Sequence, residues 1–189
     1  MKTYRDILRD FEAISGPIGP HAEVLKRYAD RLKEWDDLFT KVFYDTLFSY
    51  GPTAAVFREG ERVEREETLR AWYRKVVSGE YDDAFWDWQY RRVGLAHVLR
   101  GIPNEFMLSA MSMVQRAFLE KVKEEFPSDE AARIYLAFKH VTDAVATLIA
   151  SGYMYSYLKA VSESTGMSLT LIDRHAVLVA QREYERDKG

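Results

Sequence analysis

Apolar side chains recur at helical spacing along almost the whole chain, and sustained strand alternation is nowhere present. Ile7, Leu8, Phe11 and Ile14 share one face of a short segment, 3–14, which SGPIGP at 15–20 breaks. Leu25, Tyr28, Leu32, Trp35, Phe39, Phe43 and Leu47 then follow at steps of three and four through 21–49. That stretch reads as one long helix or as two with a bend, ended by Gly51-Pro52. A helix over 62–77 is closed by Ser78-Gly79, and Asp82 and Asp83 are cap candidates for the next, which runs to Leu99. Gly101-Ile102-Pro103 stops it. Segments 104–125, 128–162 and 168–186 complete the chain, separated by Phe126-Pro127 and by the Ser-Glu-Ser-Thr-Gly run at 162–166. The pattern predicts an all-α unit spanning 1–189, with a core over about 20–162 and a helical extension at 163–189.

Composition narrows the picture. With 47% hydrophobic residues and only five prolines, the chain has apolar surface for one large core. Its formal charge of −3 is spread along the chain, so nothing points to a nucleic-acid surface. There is no cysteine, which excludes disulfides, thiolate catalysis, iron–sulfur clusters and Cys-ligated zinc. MKTYRDILRD is too charged for a signal peptide, and the most apolar run, 144–158, is too short to span a membrane. A cytoplasmic protein without membrane or nucleic-acid partners is the expectation. Aromatic residues make up 14% of the chain and come in clusters, such as Trp72 with Tyr73 and Phe85 through Tyr90. A large helical core explains them; so does a wall around a flat apolar cofactor.

Chemistry-bearing motifs are few. No HExxH, Glu-x-x-His pair, glycine-rich phosphate loop or GxSxG elbow occurs. Of the four histidines, His21, His140 and His175 sit in polar or helix-start contexts that suit solvated or packing roles. His97 differs. On a helix, Trp86, Tyr90, Val93 and His97 fall on one face at steps of four, three and four. Gly94 weakens that helix by about 1 kcal/mol relative to alanine, and close approach of a flat group is a reason to tolerate it. A lone imidazole on an apolar face serves either as a satisfied core residue or as a metal ligand, and in globins one imidazole holds the haem iron.

The surroundings of His97 decide between these by resemblance. RVGLAHVLRGIPNEFML, Arg92 to Leu108, resembles the proximal-histidine segment of globin-coupled sensors and protoglobins. Val93, Gly94, His97, Gly101, Ile102, Pro103 and Phe106 carry the likeness, and Val-Gly-x-x-His is the protoglobin form. Phe43-Tyr44, followed by Leu47, is similar to the Phe-Tyr pair that family members carry in the second core helix, and it lies 53 residues before His97, as the sensor pattern requires. There are departures. The turn after His97 is about one residue shorter than in many members, and Phe106 stands where some have a tyrosine. No methyl-acceptor, cyclase or kinase domain lies within the 189 residues, so the chain reads as a single-domain member or as one whose transmitter was cut away.

The resemblance implies a globin-like fold of seven to eight helices with an extra N-terminal and a C-terminal helix. It implies haem b between helix 62–77 and the helix of His97, with His97 as iron ligand and its second ring N–H on an acceptor. Tyr44 would donate to a diatomic gas (O₂, CO or NO), because helix 62–77 has no histidine. Leu69, Trp72 and Tyr73 would wall the pocket, with Tyr73 a secondary donor candidate. Family members dimerise through their last two core helices. Here the small residues Ala144, Ala146, Ala150, Ser151 and Gly152 and the methionines Met107, Met111 and Met113 suit such a contact. The implied function is a gas or redox sensor with a downstream signalling partner. The competing readings are a haem enzyme of nitric oxide dioxygenase or peroxidase type and a haem-free globin-fold signalling module.

Overall fold

The structure, a computed structural model, describes residues 2–187, so Met1, Lys188 and Gly189, the ends of the expected 1–189 unit, lie outside the described residues. Every regular element among the described residues is helical. Helix α1, Tyr4–Ser15, opens with a capping box in which the Thr3 N–H donates to the Asp6 carboxylate at 2.9 Å. The region read as one helix or two is two: α2, Gly19–Lys33, and α3, Asp36–Ser49. They bend at Glu34-Trp35, where burying the Trp35 indole in the core turns the chain. A single turn, α4 at Gly51–Ala54, starts on Pro52, and α5 follows at Arg62–Val77. Gly79 ends α5 at φ +67°, with Ala22 and Lys26 so close that no side chain fits there.

Asp82 caps α6, Asp83–Asp87, accepting from the Phe85 N–H at 2.8 Å. The helix then widens into a π turn, Trp88–Val93, before α7, Gly94–Leu99. Helix α8 is Asn104–Glu125, and α9 is Ser128–Thr165, whose 38 residues run about 57 Å. Gly166 caps α9 in the left-handed region, and α10, Leu169–Arg186, leaves the body with no residue buried.

Helix α9 is the spine, with α2, α7, α8 and the π turn packed against it, while α3 pairs with α5. The core centres on Phe118 and Phe138, stacked at 3.8 Å and 6°, with Trp35, Phe39 and Tyr73 around them. Within it, the Gln115 side-chain amide donates to Thr142 at 2.9 Å and to Asp143 at 2.7 Å, so the buried polar group is satisfied. No helix among the described residues is long and apolar enough to cross a membrane.

Candidate functional site

Helix α5 forms one wall of a cavity of about 1060 Å³, and the π turn with α7 forms the wall opposite. α3 and α8 close the sides. The size lies at the top of the range for small-molecule and cofactor pockets, about 300–1,000 Å³. The space is partly open and mainly apolar in its lining, which suits a large apolar occupant.

His97 lines this cavity. Its Nδ1 lies 2.8 Å from the Val93 carbonyl oxygen, four residues back. A carbonyl only accepts, so Nδ1 carries the proton and Nε2 keeps its lone pair. Burial pushes the imidazole pKa below its ordinary value, and the Arg100 charge lowers it further, against the raising effect of the Val93 hydrogen bond. A neutral imidazole fixed in this way through one nitrogen leaves the other free to accept a hydrogen bond or to ligate. Among the described residues no cluster of three or more histidine or carboxylate groups is placed to hold a metal ion by side chains alone.

The π turn explains which side chains accompany His97. The Gly94 N–H bonds to the Gln89 carbonyl, five residues back instead of four. An α-helix drifts by about 40° at each step of four, and the wider turn takes much of that back. Phe85, Gln89, Val93 and His97 therefore all reach the cavity. The face read from the sequence assumed an uninterrupted α-helix, and Tyr90 must be withdrawn from the wall. Its hydroxyl donates to the Lys2 carbonyl at 3.2 Å, and its ring stacks on Tyr155 on the far side.

Gly94 is also corrected. It does not line the cavity; a Cβ there would stand 2.9 Å from the Tyr153 nitrogen of α9. The notch serves a helix crossing rather than a flat ligand. Gly152 is its counterpart on α9, where a Cβ would fall 1.8 Å from the Tyr90 carbonyl oxygen. Tyr73 faces the core, with its hydroxyl on the Leu32 carbonyl at 2.9 Å and its ring stacked on Phe39, because it is one residue round the helix from Trp72.

The other residues named for the wall line this one space. Phe43 and Tyr44 from α3, Leu69 and Trp72 from α5, Val93, and Ile102 with Phe106 all line the space. Tyr44 is buried against Phe57 and Phe43, and burial raises its pKa far above the ordinary phenol value. Its hydroxyl donates to the Arg65 carbonyl at 2.8 Å. The proton expected to face a gas is thus held by α5.

Beyond Phe106, sequence reasoning missed the contribution of α8. Met107, Ala110, Met111 and Val114 line the cavity, at helical steps continuing from Phe106 that were legible. Met107 is buried in the body, so the structure does not leave it for a partner contact, while Met111 is half-buried at the cavity. Gln89 was missed too: it is 1% exposed, and its Oε1 has no hydrogen-bond partner among the described residues. No single-residue pattern marks it; only the π turn brings it inward. Behind the wall, Glu61 grips Arg100 with both oxygens, one at 3.0 Å, and lies 3.3 Å from the Arg65 Nε. Those guanidinium groups and the Arg58 N–H hold the Glu61 carboxyl down at about 2.

Two helical walls around a cavity, one carrying a lone histidine fixed by the carbonyl one turn back, form a globin fold. The Protoglobin family model matches residues 20–159, and the chain belongs to the protoglobin family. A solved structure, the globin domain of a Geobacter sulfurreducens globin-coupled sensor, is similar at a TM-score of 0.68 and 22% identity, over 81% of this chain and 99% of that one. No curated protein gives a significant match.

Proposed function

We propose that this globin binds haem b and, through it, a diatomic gas, as a gas or redox sensor domain. The observation that carries the reading is the His97 imidazole: neutral, fixed through Nδ1, and presenting Nε2 on a residue of the cavity wall. The unusual size of the cavity and its mainly apolar lining fit a flat macrocycle. When bound, haem would supply an iron able to take a gas such as O₂, CO or NO.

The chain's own residues do the rest. His97 would ligate through Nε2, with the Val93 carbonyl holding the ring orientation. Phe43, Leu69, Trp72, Val93, Ile102 and Phe106 would exclude water from a bound macrocycle. Tyr44 is the donor toward a gas, and it reaches that role by giving up the Arg65 carbonyl. A hydroxyl exchanging partners between α5 and a ligand is a two-state element of the kind a sensor needs. Residues 163–189, with α10, act as the extension toward a downstream signalling partner. A second copy docks on the outer faces of α8 and α9, where Leu108, Met154, Tyr157 and Val161 are exposed.

The test is a visible absorption titration of the purified chain with ferric haem, for wild type and His97→Ala. Wild type should develop a stoichiometric haem spectrum, and His97→Ala should lose its histidine-ligated signature. A wild type that takes up no haem ends the proposal.

A further inference from the structure

Six charged side chains stand on the wall of the otherwise apolar cavity: Glu64, Arg65, Glu67, Lys75, Arg92 and Arg100. Four of them are compensated. Arg65 and Arg100 meet Glu61, Glu64 meets Arg65, and Glu67 meets Arg70 at 2.6 Å. Lys75 and Arg92 have no carboxylate at ion-pair distance among the described residues. The acids nearby are engaged elsewhere: Glu80 bridges Lys26 at 3.1 Å, and Asp87 faces Arg91 at 3.9 Å. The Arg92 guanidinium lies instead over the Trp88 ring, 5.9 Å from its centre.

The topology sets these two cations at one end of the cavity. The Glu61–Arg100 pair joins the start of α5 to the end of α7. Lys75 is ten residues beyond Arg65 on α5, about 15 Å along the axis. Arg92 is eight residues before Arg100, about 12 Å back along the opposite wall. One end of the cavity is therefore charge-balanced, by Glu61, Glu64, Arg65 and Arg100. The other carries two positive charges with no ion-pair partner among the described residues, one on each wall, with Glu80, already bridged to Lys26, near enough to Lys75 to feel its charge.

We infer that Lys75 and Arg92 form a carboxylate-binding subsite, which seats a planar apolar ligand carrying two carboxylates with its anionic edge between them. On the haem reading above, on which this rests, the two haem propionates lie at the Lys75–Arg92 end and the vinyl-bearing edge points toward the Glu61–Arg100 end. Both cations have long stems that pack along the wall while their heads stay hydrated at the rim, so they close on an anion without a buried-charge penalty. At the opposite end a carboxylate would meet the Glu61 and Glu64 charges behind guanidinium groups already in use.

The test compares ferric haem with its dimethyl ester, which has the same macrocycle and no carboxylate. Haem loss from the full chain to excess apomyoglobin is followed for wild type, Lys75→Gln, Arg92→Gln, the double variant and the control Lys123→Gln on α8. Each single neutralisation should speed loss of the diacid about two- to fivefold, with the double variant multiplicative and the control unchanged. Raised salt should bring wild type toward the variants. The ester should leave all five chains at one rate. If the variants lose the diacid no faster than wild type, or wild type retains the ester as well as the diacid, the subsite is wrong. A wild type that takes up neither compound removes the haem reading and the subsite with it.

Discussion

Gly94 of α7 and Gly152 of α9 meet where the helix leading to His97 crosses the spine of the molecule, and neither position has room for a methyl group. At Gly152 the obstacle is the Tyr90 carbonyl oxygen, 1.8 Å from where a Cβ would sit, and at Gly94 it is the backbone of α9 at 2.9 Å. Backbone atoms cannot rotate aside as side chains do. Gly152→Ala should therefore destabilise the fold by about 1–3 kcal/mol, and Gly94→Ala by less, although alanine has the higher helix propensity. Thermal melts of the two variants check the order. An unchanged melting temperature for Gly152→Ala would show that the crossing is not this tight.

That crossing also shows what the sequence could and could not reveal. Helix α5 is legible to the residue, because Ser78-Gly79 is a strong stop and 62–77 has few competing signals. His97 and its Gly-Ile-Pro stop were legible through family likeness, as were Phe43 and Tyr44. Gly94 was legible as a close approach, but a sequence does not say what approaches. Tyr90 and Gln89 were illegible because a π turn depends on tertiary contact with α9, which no local propensity encodes. The partner of the Tyr44 hydroxyl was equally hidden, since a backbone carbonyl 21 residues away leaves no mark in the side-chain pattern.

Tyr44→Phe measures the exchange proposed for the distal hydroxyl. A hydrogen bond to a partly charged bound gas is worth about 1.5–3 kcal/mol, and the Arg65 carbonyl bond given up in return about 1 kcal/mol. The difference corresponds to an O₂ dissociation rate raised about two- to thirtyfold in the variant. CO, which carries less charge, should respond much less. Stopped-flow O₂ dissociation for wild type and variant reads this directly, and equal rates would remove Tyr44 from the distal role.

Glu61→Gln tests the clasp between the two cavity walls. Glu61 is 11% exposed in its side chain and joins Arg100, three residues past the histidine, to the start of α5. Losing the carboxylate leaves Arg100 without its partner and Arg65 with Glu64 alone, so the melting temperature should fall and hydrogen exchange should quicken over 58–66 and 97–102. Exchange that quickens uniformly across the molecule would mean that the pair supports global stability only.

Acid titration should separate two groups, because their pKa values move from different starting points. His97 is held below its ordinary 6.5, so the folded state takes up its proton later than the unfolded state does. Unfolding then gains protons below pH 6.5, and the contribution of His97 to stability is full above that value and eroded as pH falls through the folded pKa. Glu61 sits at about 2 when folded, against 4.5, so its contribution is full above pH 4.5 and lost as pH falls toward 2. His21, pushed down by burial and by His140, adds to the upper window, and His21→Asn removes that share. On the proposed function, the proton and the iron compete for Nε2 of His97. Haem release should therefore begin below the ordinary histidine range and precede the loss of helix that follows below pH 4.5. Absorbance of the haem band and far-ultraviolet circular dichroism, recorded on the same samples, resolve the two steps. Their coincidence in His21→Asn would mean that release follows unfolding rather than protonation of His97.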